Sequence, residues 1–387
     1  MKRKISFADL SHVTLFLGIL FAVLVINIFK PADVISFSER RKLAQFPEIS
    51  IPAVLSKESM DGFDNYSVDQ IAFRERYRRL KAVFDTKVWF KSDNNAIFVV
   101  GDQVFKTEYP TNFNSARRLC DVLNYVYDTL PAGIEARCAF VPDKNYYLGE
   151  TRHLVMDYKE LSAFVYTCLR DGIEEIDLFD KLTLDCFYMT DSHWRQDRIG
   201  AVVDAIYESF GSAASFDSGI YTTEVFSPFY GVYYGQSALN VKPDDLLYLE
   251  SSFTKNAAVS SIEQPGVELC VYAEDQLGGV DSYSLFMQGP QAIIRAENPQ
   301  EPSGRELVIF RDSYASSLAP LLLPGYSAVT LVDLRYIRPD LLGAFIEFTD
   351  QDVLFLYSAT LFNNSDSIKS PPQEEFISPF VARSVIG

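Results

Sequence analysis

Apolar and polar positions change their rhythm several times along this chain, and each change marks an element. Behind Lys2, Arg3 and Lys4 an apolar run extends from about Val13 to Phe29, broken only by Thr14, Gly18 and Asn27. Counted from Leu10, it reaches the roughly 20 residues that cross a bilayer as a helix. The basic cluster predicts that its N-terminal side stays in the cytoplasm. The residues that follow, Lys30-Pro31-Ala32-Asp33, contain no small-x-small cleavage site. The run therefore reads as an uncleaved signal anchor in preference to a cleaved signal peptide. Residues 1–30 are thus expected to be a cytoplasmic tip and transmembrane helix of a single-pass cell-membrane protein, with the body on the extracytoplasmic side.

Residues 31–110 read as a juxtamembrane and helical N-terminal segment. Ser38 to Ser59 carries Glu39-Arg40-Arg41-Lys42, then Pro47 and Pro52. From Asp61 to Trp89, Phe63, Tyr66, Ile71, Phe73, Tyr77, Leu80, Val83 and Phe84 recur at mostly helical spacing among many charges. Ala96 to Phe105 is a β-type run turned at Gly101-Asp102, which predicts a hairpin.

Beyond residue 111 the two rhythms alternate. Helices over Ser115–Leu130, over Tyr158–Leu169 and onward from Gly200 are separated by a strand over Ala136–Val141 and by the stretch Ile173–Leu178, which ends in a short strand, Glu175–Leu178. The alternation lapses from about 213 to 296, where Tyr, Thr, Ser and Val mix with Gly and Pro, and this stretch reads as a β-rich insertion. It returns with a strand over Glu306–Phe310 and a helix over Tyr314–Leu323 that Pro324-Gly325 stops. Strands over Ala328–Asp333 and Asp352–Tyr357 then flank a helix over Pro339–Phe348. The pattern predicts an α/β fold, a parallel sheet flanked by crossover helices.

Composition narrows the function. The 387 residues are 48% hydrophobic and 22% charged, enough for a sizeable core. Net charge is −17, and the body is more acidic still, because the first 30 residues hold Lys2, Arg3, Lys4 and Lys30 against Asp9 alone. Such a surface lacks the electrostatic footprint of a nucleic-acid binder and repels polyanions. Cys120, Cys138, Cys168, Cys186 and Cys270 are odd in number and none are at metal-ligand spacing. They read as small buried hydrophobes; one disulfide stays open, and no metal or cofactor is implied.

Two stretches could carry chemistry. The chain has three histidines. His12 borders the apolar run and His153 has no acid beside it, whereas His193 follows Asp191 by two residues in Thr190-Asp191-Ser192-His193-Trp194. In Val308-Ile309-Phe310-Arg311-Asp312-Ser313-Tyr314-Ala315-Ser316 a buried strand runs through a tight turn into an apolar helix. That geometry lifts the Ser313 hydroxyl above the carboxyl edge of the sheet, beside free helix N–H groups. Taken singly, the first stretch fits a capped loop and the second a helix N-cap. Together they supply a nucleophile, Ser313, a base, His193, and an orienting acid, Asp191.

Further stretches match a known pattern. They are Glu39-Arg40-Arg41-Lys42-Leu43-Ala44 with Pro47, Asp69-Gln70-Ile71-Ala72-Phe73-Arg74-Glu75, Val141-Pro142-Asp143-Lys144 and Ile176-Asp177-Leu178. Phe229-Tyr230-Gly231-Val232-Tyr233-Tyr234, Lys242-Pro243-Asp244, Asp312-Ser313-Tyr314-Ala315 and Val332-Asp333-Leu334-Arg335-Tyr336 continue them. With these pieces the chain resembles the DHHW family, membrane-anchored extracytoplasmic proteins named for an Asp-His-His-Trp signature. It is similar to the alginate O-acetylation proteins of SGNH-hydrolase type. Ser192 stands where the signature has its first His, a departure that spares the Asp-x-His pair.

The resemblance implies an SGNH-hydrolase-like domain over residues 111–387, with the Asp-His stretch ahead of the serine. It implies transfer of acetyl to a hydroxyl of a cell-surface or exported polysaccharide, and a membrane-bound O-acyltransferase partner that delivers acetyl across the bilayer. Candidate substrate contacts are Lys144, Trp194, Arg335 and Asn363, with Lys144 and Arg335 equally at home in structural ion pairs. The Ser313 amide is the candidate oxyanion donor, with Asn363 or Asn364 as an addition. Tyr230, Tyr233 and Tyr234 could stack on sugars, although core packing suits most of them better. A carbohydrate acetylesterase with the same triad and a non-catalytic polysaccharide-binding or assembly protein stay open as alternatives.

Overall fold

The anchor sequence forms one helix, α1 (Phe7–Phe29), in a computed structural model that describes residues 7–48 and 57–372. At about 1.5 Å per residue it is long enough to cross a bilayer. Its apolar stretch, Leu10–Phe29, is 20 residues long and none of it is buried against protein. The Lys2-Arg3-Lys4 cluster and Pro52 lie outside the described residues.

Two compact units follow from the contacts: one holds the residues up to Asn94 with Gly235–Asn240, the other Asn95–Tyr234 and the chain from Val241. In the first unit, β1 (Ile35–Ser36) and β2 (Arg41–Lys42) pair antiparallel. The predicted helical stretch is two helices, α2 (Lys57–Gln70) and α3 (Arg74–Val83), with a π turn, Phe84–Val88, continuing the second. The break between them is made at Phe73, whose φ of 62° no helix accommodates. Charges clamp it. Arg41 binds Asp69 at 2.5 Å and Arg74 binds Glu39 at 2.6 Å. Asn27, the polar residue in the apolar run, accepts a hydrogen bond from Ala72 N at 2.6 Å.

In the second unit, β3 (Ile97–Val100) and β4 (Gln103–Lys106) form the expected hairpin, with Gly101 at a φ of 62° in its turn. The main body follows as α4 (Phe113–Thr129), β5 (Ala136–Val141), α5 (Tyr158–Cys168), β6 (Ile173–Ile176) and α6 (Gly200–Ser209). Next come β7 (Thr222–Phe229), β8 (Asp244–Glu250), β9 (Ala258–Ser261) and β10 (Ile293–Glu297). The chain continues through β11 (Glu306–Arg311), α7 (Tyr314–Leu322), β12 (Ala328–Val332), β13 (Asp352–Ser358) and α8 (Ala359–Asn363).

Seven strands make one sheet in the order β6-β5-β13-β11-β12-β10-β9. From β6 to β12 all neighbours are parallel; β10 and β9 join antiparallel at the edge. Strands β12 and β13 are buried along their whole length, as a sheet covered on both faces requires. On β11, Leu307 and Ile309 pack with Val202, Ile206 and Leu318 of α6 and α7. Val308 and Phe310 face the other way, toward Leu119 and Val122 of α4 and Leu161 of α5. This two-faced burial is why β11 reads as a continuous apolar run.

The stretch from 213 to 296 departs from the expected insertion. β7 and β8 do form a separate antiparallel pair, but β9 and β10 extend the main sheet. Antiparallel neighbours need no crossover helix, so the alternation lapses there although the sheet continues. The predicted helix at Pro339 is a short 3-10 segment, Pro339–Ala344.

Candidate active site

Strand β11 delivers Arg311, Asp312 and Ser313 to the carboxyl edge of the sheet, where open α/β folds bind ligands. The turn is built by Asp312, whose carboxylate accepts from Tyr314 N at 3.0 Å and from Ser358 N, at the end of β13, at 2.8 Å. Ser313 precedes α7 in ordinary right-handed geometry (φ −68°, ψ −16°) and makes no side-chain cap. Its hydroxyl points instead to His193.

The His193 loop is a tight reversal. Phe187 bridges Trp194, Tyr188 N donates to His193 O at 3.2 Å, and Arg195 N donates to Cys186 O at 2.7 Å. Asp244, at the start of β8, accepts from Met189 N at 2.6 Å and Thr190 N at 2.7 Å. Gly231 lies so close that a Cβ there would sit 2.2 Å from Thr190 O, and the next amide, Val232 N, donates to Asp191 Oδ2 at 2.8 Å. Lys144, from the turn after β5, donates to Tyr188 O, Met189 O and Asp191 O at 2.7, 3.0 and 3.1 Å. The loop is thus held from three directions.

Within it, Asp191 Oδ1 lies 2.6 Å from His193 Nδ1, and His193 Nε2 lies 2.7 Å from Ser313 Oγ. A carboxylate only accepts, so Nδ1 carries the imidazole proton and Nε2 is left to accept from the serine hydroxyl. That is the tautomer a base needs to deprotonate Ser313. Asp191 is fully buried, whereas Ser313 is half-buried and the His193 side chain retains 12% exposure. The carboxylate is thus sheltered while the imidazole and the hydroxyl stay reachable. Below the imidazole, Tyr283 stacks at 3.9 Å with its ring tilted only 11°. Tyr283 OH and Trp194 Nε1 both donate to Ser317 Oγ, at 2.8 and 2.9 Å, which ties this support to α7.

Buried charge surrounds the loop. Desolvation brings the Lys144 ammonium down to about 7, against the opposing pull of Asp244, Asp191 and Asp143. Desolvation also raises Asp143 to about 6, although Tyr158 OH donates to it at 2.7 Å. Arg311, two residues before Ser313, is buried, and its guanidinium binds Ser316 Oγ at 3.0 Å and Gly289 O at 3.1 Å. Desolvation lowers its pKa as well.

The structure brings Ser313, His193 and Asp191 together, and places the other sequence candidates as follows. Lys144 and Trp194 are buried, so neither side chain faces a ligand arriving from solvent; both hold the loop. Arg335 is spent on a bidentate pair with Asp333, at 2.8 and 2.6 Å. Asn363 accepts from Asn112 N at 2.6 Å and donates to Pro110 O at 3.2 Å, which ties it to the segment ahead of α4. Tyr233 is buried, while Tyr230 is exposed with the Tyr234 ring 4.6 Å away. All five cysteines are free thiols. Sequence reasoning missed Tyr283, whose surroundings carry no motif, and Asp244, which lies inside the matched Lys242-Pro243-Asp244.

No protein family's sequence profile matches the chain, and no curated protein matches it. Solved structures do. A DHHW family protein from Eubacterium siraeum DSM 15702 superposes with a TM-score of 0.60 at 18% identity, over 71% of this chain and 94% of that one. PatB1 of Bacillus cereus, solved with a sulfonyl adduct, gives 0.56 at 17% identity, over 72% of this chain and 99% of its own. The O-acetyltransferase domain of Pseudomonas putida AlgJ gives 0.45 at 13% identity, over 74% of this chain and 98% of its own. The expected similarity to a DHHW family protein is present as a common fold.

Proposed function

We propose that this chain is a membrane-anchored, extracytoplasmic polysaccharide O-acetyltransferase that works through an acyl-enzyme on Ser313. The observation that carries the proposal is the continuous chain from Asp191 through His193 to Ser313, with links of 2.6 and 2.7 Å. In the first half-reaction Ser313 Oγ attacks the acetyl carbonyl of a donor ester as its proton passes to His193 Nε2. The tetrahedral adduct collapses, the donor's C–O bond breaks, and the imidazolium returns the proton to the leaving alkoxide. In the second half a sugar hydroxyl gives its proton to His193 and attacks the acetyl-serine, releasing O-acetyl sugar and free Ser313.

Asp191 keeps the imidazole in the required tautomer and stabilises its cationic form. The Ser313 amide, at the start of α7, is the proposed oxyanion donor. The motifs shared with alginate O-acetylation proteins support acetyl as the group and polysaccharide as the acceptor. A membrane-bound acyltransferase is the proposed source of acetyl, and α1 would hold the enzyme beside it.

The test is turnover by the full chain of a chromogenic acetyl ester with and without oligosaccharide acceptors, with Ser313→Ala as control. Serine-dependent appearance of O-acetyl oligosaccharide supports the proposal. Serine-dependent hydrolysis that no acceptor diverts would make the protein a carbohydrate acetylesterase. Turnover unchanged in Ser313→Ala would remove the triad from the account.

A further inference from the structure

The first unit carries an apolar face that the proposed reaction does not use. Phe73, Tyr77, Leu80, Phe84 and Val88 succeed one another at helical spacing along α3 and its π turn, which places them on one side. Each is between 44% and 54% exposed. Trp89 is 65% exposed, and its ring centroid lies 6.3 Å from that of Phe84. The opposite side does the packing. There Ala82 and Asp85 are buried, Asp85 pairs with Lys81 and Lys91 at 2.9 and 2.8 Å, and Arg78 donates to Gly235 O at 2.6 Å.

Two observations say what covers the exposed face. First, Ala72, the residue before the stripe, donates its amide to Asn27 Oδ1 in the last turn of α1 at 2.6 Å. The stripe therefore starts at the end of the helix long enough to span a bilayer. Second, the segment from Arg74 to Lys91 holds seven basic residues and two acidic ones, in a chain whose net charge is −17. Helical spacing puts Arg76 at one edge of the stripe and Lys81, the partner of Asp85, at the other. An exposed apolar stripe edged by Lys and Arg is the pattern of a helix lying in a membrane interface. An anionic headgroup layer complements those edges.

We infer that the Phe73–Val88 face lies on an anionic lipid surface, its apolar side chains at the boundary of headgroups and acyl chains. The inference rests on α1 being a membrane anchor. The first unit is then fixed to the bilayer by a spanning helix and by an interfacial one, a two-point attachment that restricts its swivel about α1.

The test uses the full chain reconstituted into vesicles of phosphatidylcholine and phosphatidylglycerol brominated high on the acyl chains. The protein has two tryptophans, Trp89 beside the face and the fully buried Trp194, so quenching reports on Trp89 alone. Emission is expected to fall by about half in brominated anionic vesicles, the share of one tryptophan of two, and by less in phosphatidylcholine alone. Leu80→Glu combined with Phe84→Glu should abolish the quenching while the protein still floats with vesicles after carbonate washing. Unquenched Trp89 in a wild-type chain that floats overturns the inference and leaves the anchor standing; inter-copy crosslinks there would assign the face to a second copy. A chain that carbonate strips from the vesicles overturns the anchor reading and the inference together.

Discussion

Lys144→Met keeps the length of the side chain and removes its charge and its three donors. The carbonyls of Tyr188, Met189 and Asp191 then lose a buried partner. Met189 O still accepts from Val104 N at 2.9 Å, so two acceptors are left bare. A buried acceptor without a partner costs about 1–3 kcal/mol, hence roughly 2–6 kcal/mol for the two. Against this, holding Lys144 in a site that lowers its pKa from 10.5 to about 7 costs the wild type on the order of 5 kcal/mol at neutral pH. The two effects nearly cancel, and the melting temperature should move by only a few degrees in either direction. Activity has no such compensation. Lys144 fixes the backbone of the loop that carries Asp191 and His193, and a displacement of about 1 Å there costs on the order of 100-fold in rate. The assay is kcat/KM on a chromogenic acetyl ester beside a thermal melt: activity should fall about 100-fold with a nearly unchanged melt. Wild-type kcat/KM in a folded Lys144→Met protein would refute the positioning role, and collapse of the fold would refute the cancellation.

The remaining expectations concern the same loop. Because the folded pKa of Lys144 is lowered, the folded state binds fewer protons than the unfolded chain between about pH 7 and 10.5, so this group's contribution to stability rises with pH across that window. Denaturant titrations at several pH values should show that rise in the wild type and lose it in Lys144→Met. Asp191→Asn keeps the shape but can present an N–H to His193 Nδ1, favouring the wrong tautomer; kcat should fall on the order of 10³–10⁴-fold without loss of fold, as kinetics beside circular dichroism would show. Gly231→Ala places a Cβ 2.2 Å from Thr190 O, so the Asp191 loop must shift, and a loss of activity larger than for an exposed Gly→Ala control at Gly18 or Gly343 is expected.

Much of the site was legible because its signals are local. A chain with three histidines leaves few bases to choose from, and a buried strand ending in a polar turn before an apolar helix marks Ser313. The roles of Lys144 and Trp194 were not legible. A lysine and a tryptophan matched beside an Asp-x-His pair look like substrate contacts until burial is known, and burial depends on how β5, β8 and α7 converge around the loop. Arg335 shows the reverse: its partner, Asp333, lies two residues away, so the ion-pair reading was already available in the sequence. Tyr283 stacks on the imidazole from a segment distant in sequence, and no periodicity announces it. The extension of the sheet by β9 and β10 escaped for a topological reason, since antiparallel edge strands lack the helical spacers that made the other strands readable.

The central claim is that Ser313 is a nucleophile activated by His193. Peptide mapping after treatment with phenylmethanesulfonyl fluoride tests it most directly. The account predicts one sulfonyl adduct on Ser313, formed in step with loss of acetyl-ester turnover and greatly slowed in His193→Ala. An adduct on another residue, or turnover lost with Ser313 unmodified, would contradict it.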